Sequence, residues 1–154
     1  PAKYSQSLKG KTLLMIFEKP SLRTRVSFEV GITSMGGTAV VIETGNMPLG
    51  KKESIEDTSK VCSRYVDCVM ARLTSHEDMI KLAENSSIPI INGLTDKFHP
   101  VQVLSDILTI SEKKGKLKGL KMCYLGDAFN NVRSCLLVIG YILQAFSLSL
   151  LHLL

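Results

Sequence analysis

Thr12-Leu-Leu-Met-Ile-Phe17 carries no charge over six residues and runs straight into Glu18-Lys-Pro-Ser-Leu-Arg-Thr-Arg25. A short apolar run stopped by a proline-containing polar segment reads as a strand buried on both faces. The alternation then continues along the chain. A helix is expected from Arg25 to Met35, closed by Gly36-Gly37, then a strand from Thr38 to Ile42. A helix from Ser54 to Arg64 and a strand from Cys68 to Ala71 follow. Ser75 to Glu84 reads as a helix opened by a Ser-x-x-Asp cap, and Ile88 to Ile91 as a strand. Pro100 to Lys113 reads as a helix, Leu120 to Leu125 as a strand, Asn131 to Gln144 as a helix and Ser147 to Leu153 as a last strand. Repeated β-α units with near-continuous apolar strands predict an α/β fold, a parallel sheet with helices on both faces. The polar, glycine-punctuated joint Lys113-Lys-Gly-Lys-Leu-Lys-Gly119 predicts a boundary, with one domain over 1–114 and the start of a second over 115–154.

Composition narrows the function classes. With 45% hydrophobic and 21% charged residues in 154, the chain is neither disordered nor collagen-like. The formal charge of +5 is concentrated: residues 1–25 hold six bases against Glu18 alone, and the remaining 13 bases and 13 acids cancel. Nucleic-acid binders spread basic residues along a face among aromatics, and aromatics here are only 6%. A small anionic ligand fits better than a nucleic acid. Cys62, Cys68, Cys123 and Cys135 form no C-x-x-C pair and no zinc spacing with histidine, so a reduced, intracellular chain is expected. The N-terminus shows neither a signal peptide nor an Arg-rich presequence, and it lacks an initiating Met. After Arg133 the last 21 residues are uncharged. A membrane span needs about 20 apolar residues, so length permits one. Gly140, Gln144, Ser147, Ser149 and His152 interrupt the run without a basic anchor, which favours a buried helix and strand.

In parallel sheets, ligands bind beyond the carboxyl ends of the strands, where helix N-termini present free N–H groups. After the first strand, Ser21 to Arg25 bring two hydroxyls, a helix start and two guanidiniums to one expected spot, a set suited to a tetrahedral oxyanion. Ordinary capping with exposed arginines is the alternative. Arg72 follows the third strand. After the fourth, Pro100 at the first helical position makes His99 the N-cap and puts Gln102 in the first turn, both expected to face the same crevice.

Four segments together resemble the ornithine carbamoyltransferases: Phe17-Glu-Lys-Pro-Ser-Leu-Arg-Thr-Arg-Val-Ser-Phe-Glu29, Lys52-Glu-Ser-Ile-Glu-Asp-Thr58, Asn92-Gly-Leu-Thr-Asp-Lys-Phe-His-Pro-Val-Gln102 and Gly126-Asp-Ala-Phe-Asn-Asn131. The resemblance implies carbamoyl transfer from carbamoyl phosphate to the δ-amine of L-ornithine, with no metal or organic cofactor. It implies that Ser21, Leu22 (through its backbone), Arg23 and Thr24 hold the phosphate. It further implies that Arg72 and His99 contact the carbamoyl oxygen, Gln102 the carbamoyl nitrogen and Asn131 the ornithine. A homotrimer in the cytoplasm, or in a mitochondrial matrix, follows from the same resemblance, with no nucleic-acid or membrane partner. In that family a loop of the adjacent subunit completes the phosphate site, often through a Gln whose place Pro48 takes here; Lys51 or Lys52 is expected to substitute as a point charge. The family's second-domain Asp, Ser-Met-Gly loop and His-Cys-Leu-Pro segment find no counterpart after Asn131 (the tripeptide Ser34-Met-Gly36 closes the first expected helix), and the sequence reads as the carbamoyl-phosphate half of such an enzyme. A binding module without turnover, a related transferase using an amine such as putrescine, and a membrane-attached protein are the competing readings.

Overall fold

The computed structural model describes residues 4–45, 49–124 and 129–143, the last five by their backbone alone. The elements are β1 (Thr12–Phe17), α1 (Leu22–Ser34), β2 (Thr38–Glu43), α2 (Ile55–Tyr65), β3 (Cys68–Arg72), α3 (His76–Glu84), β4 (Ile90–Leu94), α4 (Pro100–Lys114) and α5 (Asn130–Leu143). They fall into two compact units, 1–93 and 94–154.

The strands form one sheet in the order β2-β1-β3-β4, and β1 pairs parallel with both β2 and β3. Parallel neighbours need crossover helices, which then cover the sheet. The alternation of β1 shows how. Leu14 and Ile16 pack with Ile55, Met79 and Leu82 of α2 and α3, whereas Leu13, Met15 and Phe17 pack with Ile32 of α1. Both faces of β1 are therefore buried, as its unbroken apolar run requires. Met15 and Met70 are 0% exposed, and each such side chain contributes about 1.5–3 kcal/mol relative to exposure. The buried Ser59 hydroxyl donates to the Leu82 carbonyl at 2.6 Å and joins α2 to α3. At the other end of the sheet, Asp67 accepts from Lys11 Nζ at 2.7 Å and Thr12 N–H at 2.8 Å. Those two donors hold its carboxyl below the usual carboxylate range.

Element ends differ from expectation by one residue in several places, and four larger differences stand out. α1 begins at Leu22 instead of Arg25, because Ser21 after Pro20 is already extended (φ −152°, ψ 97°) and serves as N-cap. β4 begins at Ile90 instead of Ile88: Pro89 has no N–H to donate, and only its carbonyl joins the ladder, accepting from Val69 at 3.0 Å. The same strand runs on through Asn92-Gly-Leu94. Residues 120–124 are irregular and not a strand. A strand requires a hydrogen-bonded neighbour, and residues 95–124 and 129–143 are otherwise helical or irregular. Met122 instead packs with Leu117 against Val103 and Cys135, the core between α4 and α5. The expected strand Ser147 to Leu153 lies outside the described residues. Among the described residues no helix is long and apolar enough to cross a membrane.

Gly93 is fixed by packing. A Cβ there would overlap Met70 Sδ and lie 3.0 Å from the Ala71 carbonyl, whereas a Cβ at Gly31 in α1 meets nothing within 4 Å. Gly93→Ala is expected to destabilise the protein by about 1–3 kcal/mol, the usual range for overpacking. Gly31→Ala should instead leave stability unchanged or raise it by up to about 1 kcal/mol. Urea unfolding of both variants checks the contrast, and equal midpoints would refute it.

Candidate active site

One candidate cluster stands at the ends of β1 and β3. Their register sets Phe17 opposite Arg72. The Glu18 N–H donates to the Arg72 carbonyl at 3.0 Å, and the Glu18 carboxylate accepts from the Thr74 N–H at 2.6 Å. On the β2 side, the Thr44 N–H donates to the Phe17 carbonyl at 2.9 Å. The chain entering α1 is thus tied to the strand ends on both sides.

From there α1 presents a bare N-terminus. Its first i→i−4 bond runs from Arg25 N–H to Ser21 carbonyl at 3.0 Å, so the N–H groups of Leu22, Arg23 and Thr24 have no acceptor within the helix. The Ser21 side chain does not cap them; its hydroxyl donates to Thr24 Oγ1 at 3.0 Å. In α2 and α3, by contrast, Ser54 and Ser75 accept from Asp57 and Asp78 N–H, and two acids fill each first turn. α1 has no acid there and carries Arg23 instead. The Leu22 side chain is 77% exposed, which leaves its N–H as the group it offers a ligand. The structure corrects one expectation. Arg25 does not join this cluster, because its guanidinium pairs with Glu29 at 3.3 Å and Glu43 at 2.7 Å.

Arg72 is half-buried, and its buried Nε has no hydrogen-bond partner among the described residues. Burial lowers its pKa, yet a guanidinium stays charged at neutral pH. A charged donor held out of water and left unpartnered is suited to an anionic or carbonyl oxygen.

The second unit carries His99, Gln102 and Asn131. His99 is the N-cap of α4 with Pro100 behind it, and its side chain does not cap the helix. Gln102 is exposed, and its Nε2 donates to Asp106 Oδ1 at 2.9 Å. The carboxylate accepts only, so it holds the amide nitrogen on its own side and turns Oε1 away. Asn131 Oδ1 is buried with no partner among the described residues. Burial pushes the thiols of Cys62, Cys68 and Cys135 up, which disfavours thiolate at neutral pH.

Residues 1–112 match the family described as aspartate/ornithine carbamoyltransferase, carbamoyl-P binding domain. The chain belongs to that family. It is 54% identical over 129 residues to an ornithine carbamoyltransferase of Bacillus subtilis, covering 84% of this chain and 40% of that one. The solved ornithine carbamoyltransferase of Pyrococcus furiosus superposes with a TM-score of 0.90 at 45% identity, over 94% of this chain and 46% of that one. The enzyme of Burkholderia thailandensis gives 0.90 at 43% identity, over 97% and 51%. The chain therefore spans about half the length of these relatives.

The sequence reading had no role for Glu18, Asn130 or Ser134. An acid directly before an anion-binding loop was the available signal for Glu18. Asn130 and Ser134, four apart at the start of a helix, gave none. Glu18→Ala leaves the Thr74 N–H without its charged acceptor and frees the turn after Arg72. It is expected to weaken inorganic phosphate binding by about fivefold to tenfold, or about 1–1.4 kcal/mol, a part of the roughly 1.5–3 kcal/mol that a hydrogen bond to a charged group contributes. Faster amide hydrogen exchange at Thr74 should accompany the loss. Glu18→Gln, which keeps an oxygen acceptor, should recover most of it. Unchanged exchange at Thr74 in the alanine variant would show that Glu18 does not hold the turn.

Proposed function

We propose that this chain binds carbamoyl phosphate and serves transfer of the carbamoyl group to the δ-amine of L-ornithine, giving L-citrulline and phosphate. Two observations carry this reading: the bare N-terminus of α1, which follows β1, and the unpartnered Nε of Arg72, at the paired end of the adjacent strand β3. Three free N–H groups, two linked hydroxyls and Arg23 match the peripheral oxygens of a phosphoryl group. Arg72 and His99 take the carbamoyl oxygen, Gln102 Oε1 accepts from the carbamoyl nitrogen, and Asn131 meets ornithine. This assignment of roles follows the family, as do the homotrimer and the cytoplasmic location; the domain division at 114/115 rests on the polar joint from Lys113 to Gly119. The family match ending at residue 112 supports that last boundary.

The chemistry needs little else. The neutral amine nitrogen attacks the carbonyl carbon, and negative charge collects on the carbonyl oxygen. The bond from carbon to the bridging oxygen then breaks, phosphate leaves with the electron pair, and the amine nitrogen loses a proton. Preorganised donors at the carbonyl oxygen are stronger in the transition state than in the ground state, which is the condition for accelerating the step. Arg23 stabilises the departing phosphate. No step requires a covalent nucleophile.

Isothermal titration should show carbamoyl phosphate binding more tightly than inorganic phosphate. His99→Ala should remove that preference and lower any citrulline formation by about 100-fold or more, with phosphate affinity held within about twofold. Equal losses of both affinities would contradict the assigned role. Tight binding of carbamoyl phosphate without citrulline would favour the module without turnover.

Lys51 and Lys52 are both exposed just ahead of α2, and Pro48 lies outside the described residues. We infer that one of the two lysines replaces the missing Gln contact. Lys51→Ala or Lys52→Ala should weaken carbamoyl phosphate binding by about threefold at low salt and less at high salt. Unchanged affinity in both variants rejects the substitution.

A further inference from the structure

The loop that carries His99 is held at both ends by the first turn of α5. At its start, Thr95 is 0% exposed and its carbonyl accepts from Asn130 Nδ2 at 2.8 Å. Inside the loop, the Thr95 N–H donates to the Phe98 carbonyl at 2.9 Å, and the Phe98 N–H donates to Thr95 Oγ1 at 3.2 Å. At its end, the His99 N–H donates to Ser134 Oγ at 2.7 Å. Ser134 is 3% exposed, and its hydroxyl donates in turn to the Asn130 carbonyl at 2.9 Å. A hydroxyl has one proton. Spending it on Asn130, one helical turn back, leaves only lone pairs facing His99, so the direction of the second bond is fixed.

Those bonds constrain His99 by its backbone and leave its imidazole out of the bargain. His99 sits at φ −133°, ψ 68° as the N-cap of α4, outside the regular helix, and its side chain does not cap the helix. The helix holds such a residue only by its carbonyl, which accepts from the Val103 N–H at 3.5 Å. Its N–H must be held from elsewhere, and the Ser134 hydroxyl is the acceptor that holds it. Asn131, the residue assigned to ornithine, lies between Asn130 and Ser134 on the same turn.

We infer that Ser134, assisted by Asn130, is a positioning residue that fixes His99 for its contact with the carbamoyl oxygen. The inference rests on the role proposed for His99 above. Ser134→Ala keeps the volume of the site but strands a His99 N–H without its acceptor, and the loop must shift to hydrate it. The damage should fall on groups that recognise the carbamoyl end and spare the phosphate end, which Ser21, Arg23 and Thr24 serve.

Phosphonoacetamide, the analogue with a methylene in place of the bridging oxygen, and inorganic phosphate provide the two probes. Calorimetric titration of the whole chain should show Ser134→Ala weakening phosphonoacetamide by about tenfold and phosphate by less than about twofold, with faster amide exchange at His99. Ser134→Thr, which keeps the hydroxyl, should recover most of the affinity. The double variant with His99→Ala should bind phosphonoacetamide no more weakly than His99→Ala alone, because Ser134 acts through His99. Additive losses in the double variant, or equal losses on both probes, would overturn the inference. If His99→Ala weakens phosphonoacetamide while Ser134→Ala does not, the role of His99 stands and the positioning role falls. If His99→Ala changes neither probe, the role of His99 falls and the inference with it. Should Ser134→Ala not fold, Asn130→Ala removes only the tie to Thr95 and should give a smaller loss of the same selectivity; no loss there would also count against the idea.

Discussion

Phe17 and Arg72 close two adjacent parallel strands at the same level, and the hydrogen bond from Glu18 N–H to the Arg72 carbonyl carries that pairing one residue past the ladder. The loop from Glu18 to Ser21 and the start of α1 depend on this junction. Parallel strands point their carboxyl ends the same way, so every following loop opens on one edge of the sheet. Had β1 and β3 been antiparallel, Arg72 would stand at the opposite edge from Ser21. The apolar run 12–17 therefore does more than fill the core. Being buried on both faces, it forces a central position in the sheet, and that position puts the α1 N-terminus next to Arg72.

Three serines at helix starts show how electrostatics separates a structural end from a functional one. Ser54 and Ser75 accept from the backbone three residues on, and acids in the first turn complement the helix dipole. Ser21 gives its proton to Thr24 Oγ1, caps nothing, and is followed by Arg23. Positive charge at a helix N-terminus is unfavourable by some tenths of a kcal/mol per group. The phosphoryl group proposed to bind there would remove that penalty and satisfy the N–H groups together. The neutralisation of Arg25 by Glu29 and Glu43 limits the excess charge to one arginine in that turn.

Much of this was legible in the residues. The unbroken apolar strands gave the parallel sheet, Pro100 at the first helical position gave His99 as N-cap, and Ser-x-x-Asp gave the start of α3. The errors share a cause. Apolar residues at 120–125 look the same whether they pair as a strand or pack singly, and only the choice of neighbour decides; here Met122 went to the α4–α5 core. Arg23 and Arg25 are chemically alike and two apart, and the partner that claims Arg25 is Glu43, which becomes its neighbour only when β2 pairs with β1. The extension of β4 through Gly93 likewise depends on the close approach of Met70 and Ala71. Local pattern cannot show contacts between segments far apart in sequence.

The residues that the sequence left silent have one property in common. A site for an anion is built from donors: N–H groups, hydroxyls and guanidiniums that must face the ligand and not satisfy one another. Loops that present donors outward cannot be held by those same donors. Something else must grip their backbone N–H groups, and only acceptors can. Glu18 does so for Thr74, in the turn after Arg72, and Ser134 does so for His99. An acceptor placed behind a donor-rich loop also orders it without competing for the ligand, since an anion repels a carboxylate and gains nothing from a hydroxyl whose proton is already given away. The division between donors in front and acceptors behind follows from the sign of the ligand's charge. It directs attention to Glu18 and Ser134 as groups that shape the site while standing outside it.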